Sequence, residues 1–382
     1  MENLLVAVIA GLLILLASVA SVELGISVAL IEISLGVVAG NFLGLSSPPW
    51  MDFLASFGSI LLTFLAGAEV DPRVMQEKLK ESVLIGGVSF AAPFLGAWLF
   101  CAWVLDWSTP SAQIAGVALS TTSLAVVYAV LVETGLTLTP LGKLIMAATF
   151  VTDFGTALAL ALLFVRPTWW LVPFLGVSVL VVWAMVALQP WFFSRYGARV
   201  IEPEIKGAVA ALLVLMFFAE KAQSHAVLPA FVLGLALARI FHEHPELTRR
   251  FRVVAFALLT PFFFLKGGMN VSLALVWANF GLLALLFGVK QATKILGVYP
   301  LARRWVPGDA MFTTLLMSTG LTFGTISSLY GLNAGILDRG QFSVLVTAVV
   351  ASAVIPTIVA QRWFSPAKAL EAARGRAAAA PK

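Results

Sequence analysis

The chain is poor in charge, in cysteine and in histidine. Charged residues make up 11% of its 382 positions, where a soluble chain carries ~25%. So few charges cannot furnish the polar surface of a water-exposed globule, and a soluble fold is excluded. The single cysteine, Cys101, rules out an internal disulfide and a multi-cysteine metal site. It lies in an apolar stretch and reads as a packed thiol. Three histidines are too few for a histidine-rich metal cluster. Walker, GxSxG and HExxH patterns are missing, so nothing points to ATP coupling, serine hydrolysis or zinc proteolysis. No cofactor is expected.

What the chain has is apolar surface. Hydrophobic residues reach 60% and mean hydropathy is +1.00. Disorder is excluded by the same abundance. Continuous apolar runs of ~20 residues, rather than ~10-residue alternating segments, call for helices and not a β-barrel. The fold class expected is an all-α polytopic membrane protein. Thirteen spans are read at 3–21, 25–45, 51–70, 82–105, 111–133, 141–165, 168–194, 205–223, 225–242, 252–270, 274–302, 309–332 and 341–363. The N-terminal run carries Glu2 and no Lys or Arg, so it reads as a retained span rather than a signal peptide. The Ala-rich basic tail SPAKALEAARGRAAAAPK reads as a frayed surface helix.

Basic residues alternate between the two sides of this topology. Eighteen of 24 follow odd-numbered spans, among them Arg73, Lys143, Arg195, Arg249, Arg303 and Arg374. Only Arg166, Lys221 and Arg339 follow even-numbered ones. The positive-inside rule then puts the odd loops in the cytoplasm, the N-terminus outside and the C-terminus inside. The net charge of +5 reflects this loop bias and not a nucleic-acid surface. Glu202-Pro203-Glu204 reads as a solvated loop pair.

The remaining three basic residues, Lys266, Lys290 and Lys294, fall inside spans. Charge at membrane depth costs ~2.5–3.5 kcal/mol on insertion scales and marks an ion or proton path by default. Asp153 sits at the midpoint of span six as its one acid. Lys290 and Lys294 are four residues apart and share a face of span eleven. Like charges on one face repel, so snorkelling toward the interface is the structural alternative for either lysine. Lys266 follows three phenylalanines in a span that Pro261 should break, and its role stays open. Glu32, Glu69 and Glu133 lie nearer span ends, as pathway acids or as partners of loop cations.

Span five contains Ser120-Thr121-Thr122-Ser123 and span twelve contains Ser318-Thr319-Gly320-Leu321-Thr322. Hydroxyl runs with glycine weaken a helix, and paired interruptions in two halves point to a secondary-transporter site. The two segments are seven spans apart. Seven is odd, so spans four to six and eleven to thirteen form an inverted repeat, with the site where spans five, six, eleven and twelve meet.

These segments resemble the cation:proton antiporters of the Kef/NapA-like branch, which have the NhaA-like fold. The resemblance is carried by IEISLGVVAGNFLG, FLAGAEVDP, ALSTTSLAVVYAVLVETGLTLTPLGKLIMAATFVTD, KILG at 294–297 and STGLTFGTI. It implies thirteen helices, a dimerisation domain and a moving core in which two broken helices cross. It implies that Asp153 is the ion-binding carboxylate, that Lys294, ahead of Lys290, is the core lysine, and that Thr122 and Ser123 help coordinate the ion. Two departures stand out. Thr152 occupies the place of the first of two aspartates in electrogenic members, and Leu321-Thr322 stand where many relatives have Gly-Glu.

On this basis residues 1–81 are expected to form dimerisation or panel helices 1–3, and 82–165 the first core half. Residues 166–204 form linker helix 7, 205–273 panel helices 8–10, 274–363 the second core half, and 364–382 a basic cytoplasmic tail. The expected activity is exchange of Na+ or K+ for H+ by alternating access in the cell's inner (plasma) membrane, by a homodimer. Asp153 would bind either ion, with Thr152, Thr122 and Ser123 beside it and Thr121, Thr319, Gly320 and Thr322 forming the broken segments. The lone aspartate favours electroneutral exchange. The rival expectation is a sodium-coupled solute symporter or a cation channel on a similar inverted repeat. A single mid-membrane acid is too few for an intramembrane aspartyl enzyme.

Overall fold

The structure is a computed structural model. It describes all residues except 1, 25–27, 69, 71–77, 135, 137–138, 165–167, 197–198, 200–201, 223, 225 and 367–382; at 2, 24, 125, 129, 132–133, 190 and 193–194 it describes the backbone alone. The described residues are helical and loop, with no strand. Helices satisfy their own backbone groups, which lipid cannot do for them. Among the described residues, eight helices are long and apolar enough to cross a membrane, from Asn3–Glu23 to Arg339–Trp363. Shorter helices and two interrupted pairs lie along the other expected spans.

One four-part pattern occurs twice. A long helix, Leu79–Trp103, is followed by Thr109–Ser120, a break, Leu124–Glu133, and the long helix Pro140–Leu163. Later, Phe280–Trp305 is followed by Ala310–Met317, a break, Thr322–Asn333, and Arg339–Trp363. Local signals mark the starts: Ser108 accepts from Ser111 N–H, and Asp338 with Gln341 forms a reciprocal capping box.

The chain divides into two compact units, one of residues 1–72 with 157–270 and the other of 73–156 with 271–382. Glycine governs packing in the first. A Cβ at Gly36 would run into the Leu265 carbonyl, one at Gly40 into that of Met269, and one at Gly268 into that of Ile33. The Gly-x-x-x-Gly spacing of 36 and 40 therefore seats Val28–Phe42 directly on Thr260–Met269. Gly234 and Phe64 bring Val227–Glu243 equally close to Pro49–Ala68. The second unit is filled by an apolar cluster that includes Ile85, Leu131, Ile145, Val298, Phe312 and Met317.

The structure departs from the sequence in several places. Span ten is interrupted before Pro261: a π-turn, Ala255–Leu259, links Pro245–Val254 to Thr260–Met269. Proline has no N–H and its ring collides with the carbonyl four residues back, so the turn ahead of it widens. Span eleven is split at Asn279 into Leu273–Ala278 and Phe280–Trp305. Glu202 and Glu204 are not a solvated pair. Glu204 is buried in the first turn of Pro203–Lys221, and Glu202 lies 2.9 Å from Arg250. Lys266 pairs with Asp52 at 2.7 Å, joining Thr260–Met269 to the start of Pro49–Ala68 within one unit. Glu32 is buried in that unit too, Glu69 and residues 367–382 of the tail lie outside the described residues, and Glu133 is described by its backbone only.

Replacing Gly268 by leucine should destabilise the first unit by about 1–3 kcal/mol, because the side chain must displace the Ile33 backbone. A thermal melt of the purified protein in detergent should move down, while Gly176→Leu, where a Cβ meets nothing, should leave it unchanged.

Candidate functional site

The site is built where two helices fail. In Ser120–Ser123 four consecutive hydroxyls compete with the backbone for hydrogen bonds. Thr121 swings to an extended conformation, φ −65° and ψ 153°, and Thr109–Ser120 ends. In the second pair Ala310–Met317 ends at Ser318, and the helix resumes at Thr322 after Leu321 with φ −152° and ψ −72°. A helix that stops inside a membrane protein leaves unpaired carbonyls at one end and N–H groups at the other. All of Ser120–Ser123 and Ser318–Leu321 is buried.

Each break supplies partners for the other. Thr122 Oγ1 donates to the Met317 carbonyl at 2.8 Å. The Ser123 N–H donates to Thr319 Oγ1 at 3.3 Å. Ser352 Oγ, from Arg339–Trp363, donates to the Gly320 carbonyl at 3.4 Å. The two interruptions thus cross in contact.

Both lysines of Phe280–Trp305 are buried to 0% exposure and neither snorkels. Lys294 Nζ donates to Ser89 Oγ at 2.7 Å and to Thr122 Oγ1 at 3.0 Å. Lys290 Nζ donates to the Thr121 carbonyl at 3.3 Å. The Lys290 ammonium stands at the carbonyl end of a half-helix, where the dipole is negative. Both reach the first break, Lys290 at Thr121 and Lys294 at Thr122.

Asp153 is 1% exposed on Pro140–Leu163, and its Oδ1 has no hydrogen-bond partner among the described residues. Thr149, one turn earlier on the same face, donates to Met317 Sδ at 3.7 Å, which lays this face against the second break. Lys294 is the cation whose charge acts on Asp153, although the two form no ion pair within 4.0 Å. A buried carboxylate oxygen without a donor is costly unless it holds a proton or a cation.

Thr152 is engaged elsewhere. Its hydroxyl donates to the carbonyls of Gly86 at 3.2 Å and Ala148 at 3.1 Å. Thr121 Oγ1 donates to Ala118 in its own helix, and Thr322 opens the second half-helix half-buried. Of the three outlying acids, Glu32 belongs to the other unit. Ser89 and Ser352 were missed by sequence reasoning. Their signal is a lone hydroxyl within an otherwise apolar run, in GGVSFAA and VVASAVI.

Two crossing helix breaks with Lys290, Lys294 and the enclosed Asp153 carboxylate beside them have the design of a secondary carrier. The profile of the family described as sodium/hydrogen exchanger, transmembrane, matches residues 5–365, and the chain belongs to that family. It is similar to the probable Na(+)/H(+) antiporter 3 of Methanocaldococcus jannaschii, at 25% identity over 82% of this chain and 84% of that one. The Na(+)/H(+) antiporter NhaS4 of Synechocystis sp. is 28% identical, covering 88% and 91%. The K(+)/H(+) antiporter 1 of Saccharomyces cerevisiae is 26% identical over 83% of this chain, which spans only 40% of that longer protein. Among solved structures, the sodium proton antiporter MjNhaP1 from Methanocaldococcus jannaschii has the same fold, with a TM-score of 0.71 over 95% of this chain and 100% of that one at 14% identity.

Thr122→Val removes the donor to Met317 and the acceptor for Lys294 in one step. It should cost about 1–3 kcal/mol, since hydrogen bonds to charged groups are the strong ones. The control is Thr156→Val, whose hydroxyl serves only its own helix at the Thr152 carbonyl. Melting curves should separate the two variants, with Thr156→Val the milder.

Proposed function

We propose that this chain exchanges a monovalent cation, Na+ or K+, for H+ by alternating access, and that Asp153 carries both ions in turn. The observation that carries this is the Asp153 carboxylate, fully enclosed and with Oδ1 unpartnered beside two crossing helix breaks. Enclosure of the empty, ionised acid is unfavourable, so one positive ion is held at a time, and binding one kind expels the other. The names of the relatives, as Na+/H+ and K+/H+ antiporters, support the same exchange.

Thr122 and Ser123 lend oxygens or backbone groups to the cation, and Thr152 locks the Asp153 helix to Leu79–Trp103 through Gly86. Thr121, Thr319, Gly320 and Thr322 shape the crossing. Lys294 balances the charge of Asp153 without neutralising it through direct contact. One exchangeable acid implies one cation per proton, an electroneutral cycle.

Around this site, 82–165 and 274–363 make up the moving core. Helices of 1–81 and 205–273 form the dimerisation panel of a homodimer, with 166–204 as linker. The membrane is the cell's inner membrane. The basic-residue bias supports an external N-terminus and a cytoplasmic C-terminus.

Asp153→Asn keeps the size and removes the titrating charge. In proteoliposomes it should abolish proton flux driven by Na+ or K+ while the protein still elutes and melts as wild type. In wild type, an imposed membrane potential without ion gradients should drive no exchange. Full flux in the Asp153→Asn protein refutes the role of the acid, and potential-driven flux refutes electroneutrality.

A further inference from the structure

Lys290 is a second buried cation that exchange at Asp153 does not use. Its Nζ reaches the Thr121 carbonyl, and it makes no ion pair among the described residues. It also lies hard against Gly320: a Cβ at that position would collide with Lys290 Nζ. The same point in space is 2.9 Å from Thr121 Oγ1 and 3.2 Å from Ser352 Oγ. The ammonium therefore sits between the two breaks, bonded to the Thr121 carbonyl and against the backbone of Gly320, with the Thr121 and Ser352 hydroxyls bordering the same space. Glycine at 320 is what leaves room for it.

Unwound carbonyls and hydroxyls of this kind are the ligands a small cation uses at membrane depth. Here the place is taken by a cation attached to the chain. Lys294 is different in kind, since its partners are the hydroxyls of Ser89 and Thr122 and its charge acts on Asp153.

We propose that Lys290 is a positioning residue, a tethered cation that ties Thr121 to Gly320, holds the two breaks in register for ion binding at Asp153, and keeps this second oxygen cluster closed to transported ions. It rests on the role proposed for Asp153. A mere packing role would require only the volume of the side chain, whereas the positioning role requires its positive charge.

Two variants separate these roles, read by exchange of radiolabelled Na+ or Rb+ in proteoliposomes at equal pH on both sides. Lys290→Met keeps the volume and removes the charge. Exchange should fall about tenfold with a raised KM for the cation, as misplaced binding groups cause. Lys290→Ala leaves a space the shape of propylammonium, and adding propylammonium should restore exchange about fivefold or more, while tetramethylammonium should not. Wild-type rate and KM in Lys290→Met overturn the proposal, and so does a folded Lys290→Ala that propylammonium fails to rescue. If Lys290→Ala does not fold, the Lys290→Met result decides alone. Asp153→Asn in the same vesicles is the control: if it still exchanges, the role of Asp153 has failed and this proposal with it. If it is silent and Lys290→Met is normal, only the role of Lys290 has failed.

Discussion

Two helices stop inside the protein, and their loose backbone groups are buried there. That constraint shapes the rest of the core. The Met317 carbonyl is met by Thr122, the Ser123 N–H by Thr319, the Thr121 carbonyl by Lys290 and the Gly320 carbonyl by Ser352. Every partner comes from the other break or from a helix packed against it. Neither interruption is satisfied without the other, so the crossing holds together as one object. The same arrangement concentrates oxygens and helix-end dipoles within reach of a single acid.

The charges are arranged as economically as the hydrogen bonds. Two lysines on one face would repel in an unbroken bundle. Here both reach the first break, one at Thr121 beside Gly320 and the other at Thr122 and Ser89. Asp153 is left with the field of one lysine and the contact of none. The first unit uses other means: glycines that let backbones touch, and the Asp52–Lys266 pair. Close backbone packing of this kind resists deformation because neither side has side chains to rearrange.

Much of this was legible in the amino-acid sequence. Apolar run length sets the helical class, and hydroxyl runs, the second with glycine, mark both interruptions. Asp153, Lys290 and Lys294 stand out because charge at membrane depth is expensive, and the resemblance to a family puts Lys294 ahead of Lys290. What was hidden depends on the third dimension. Nothing local in GGVSFAA says that Ser89 will meet a lysine some two hundred positions away, and Ser352 is equally mute. Lys266 was undecidable because its partner Asp52 lies in another span. Glu204 looked solvated because Glu-Pro-Glu resembles a loop, yet it enters the first turn of a packed helix.

The central claim is that proton and metal ion exclude each other at Asp153. The most direct measurement is proton release from purified, detergent-solubilised protein on adding Na+, K+ or Li+ in weak buffer, with ion binding followed calorimetrically on the same sample. Release of about one proton for each cation bound is the predicted result, since one carboxylate serves both. Cation binding with no accompanying proton release would contradict it.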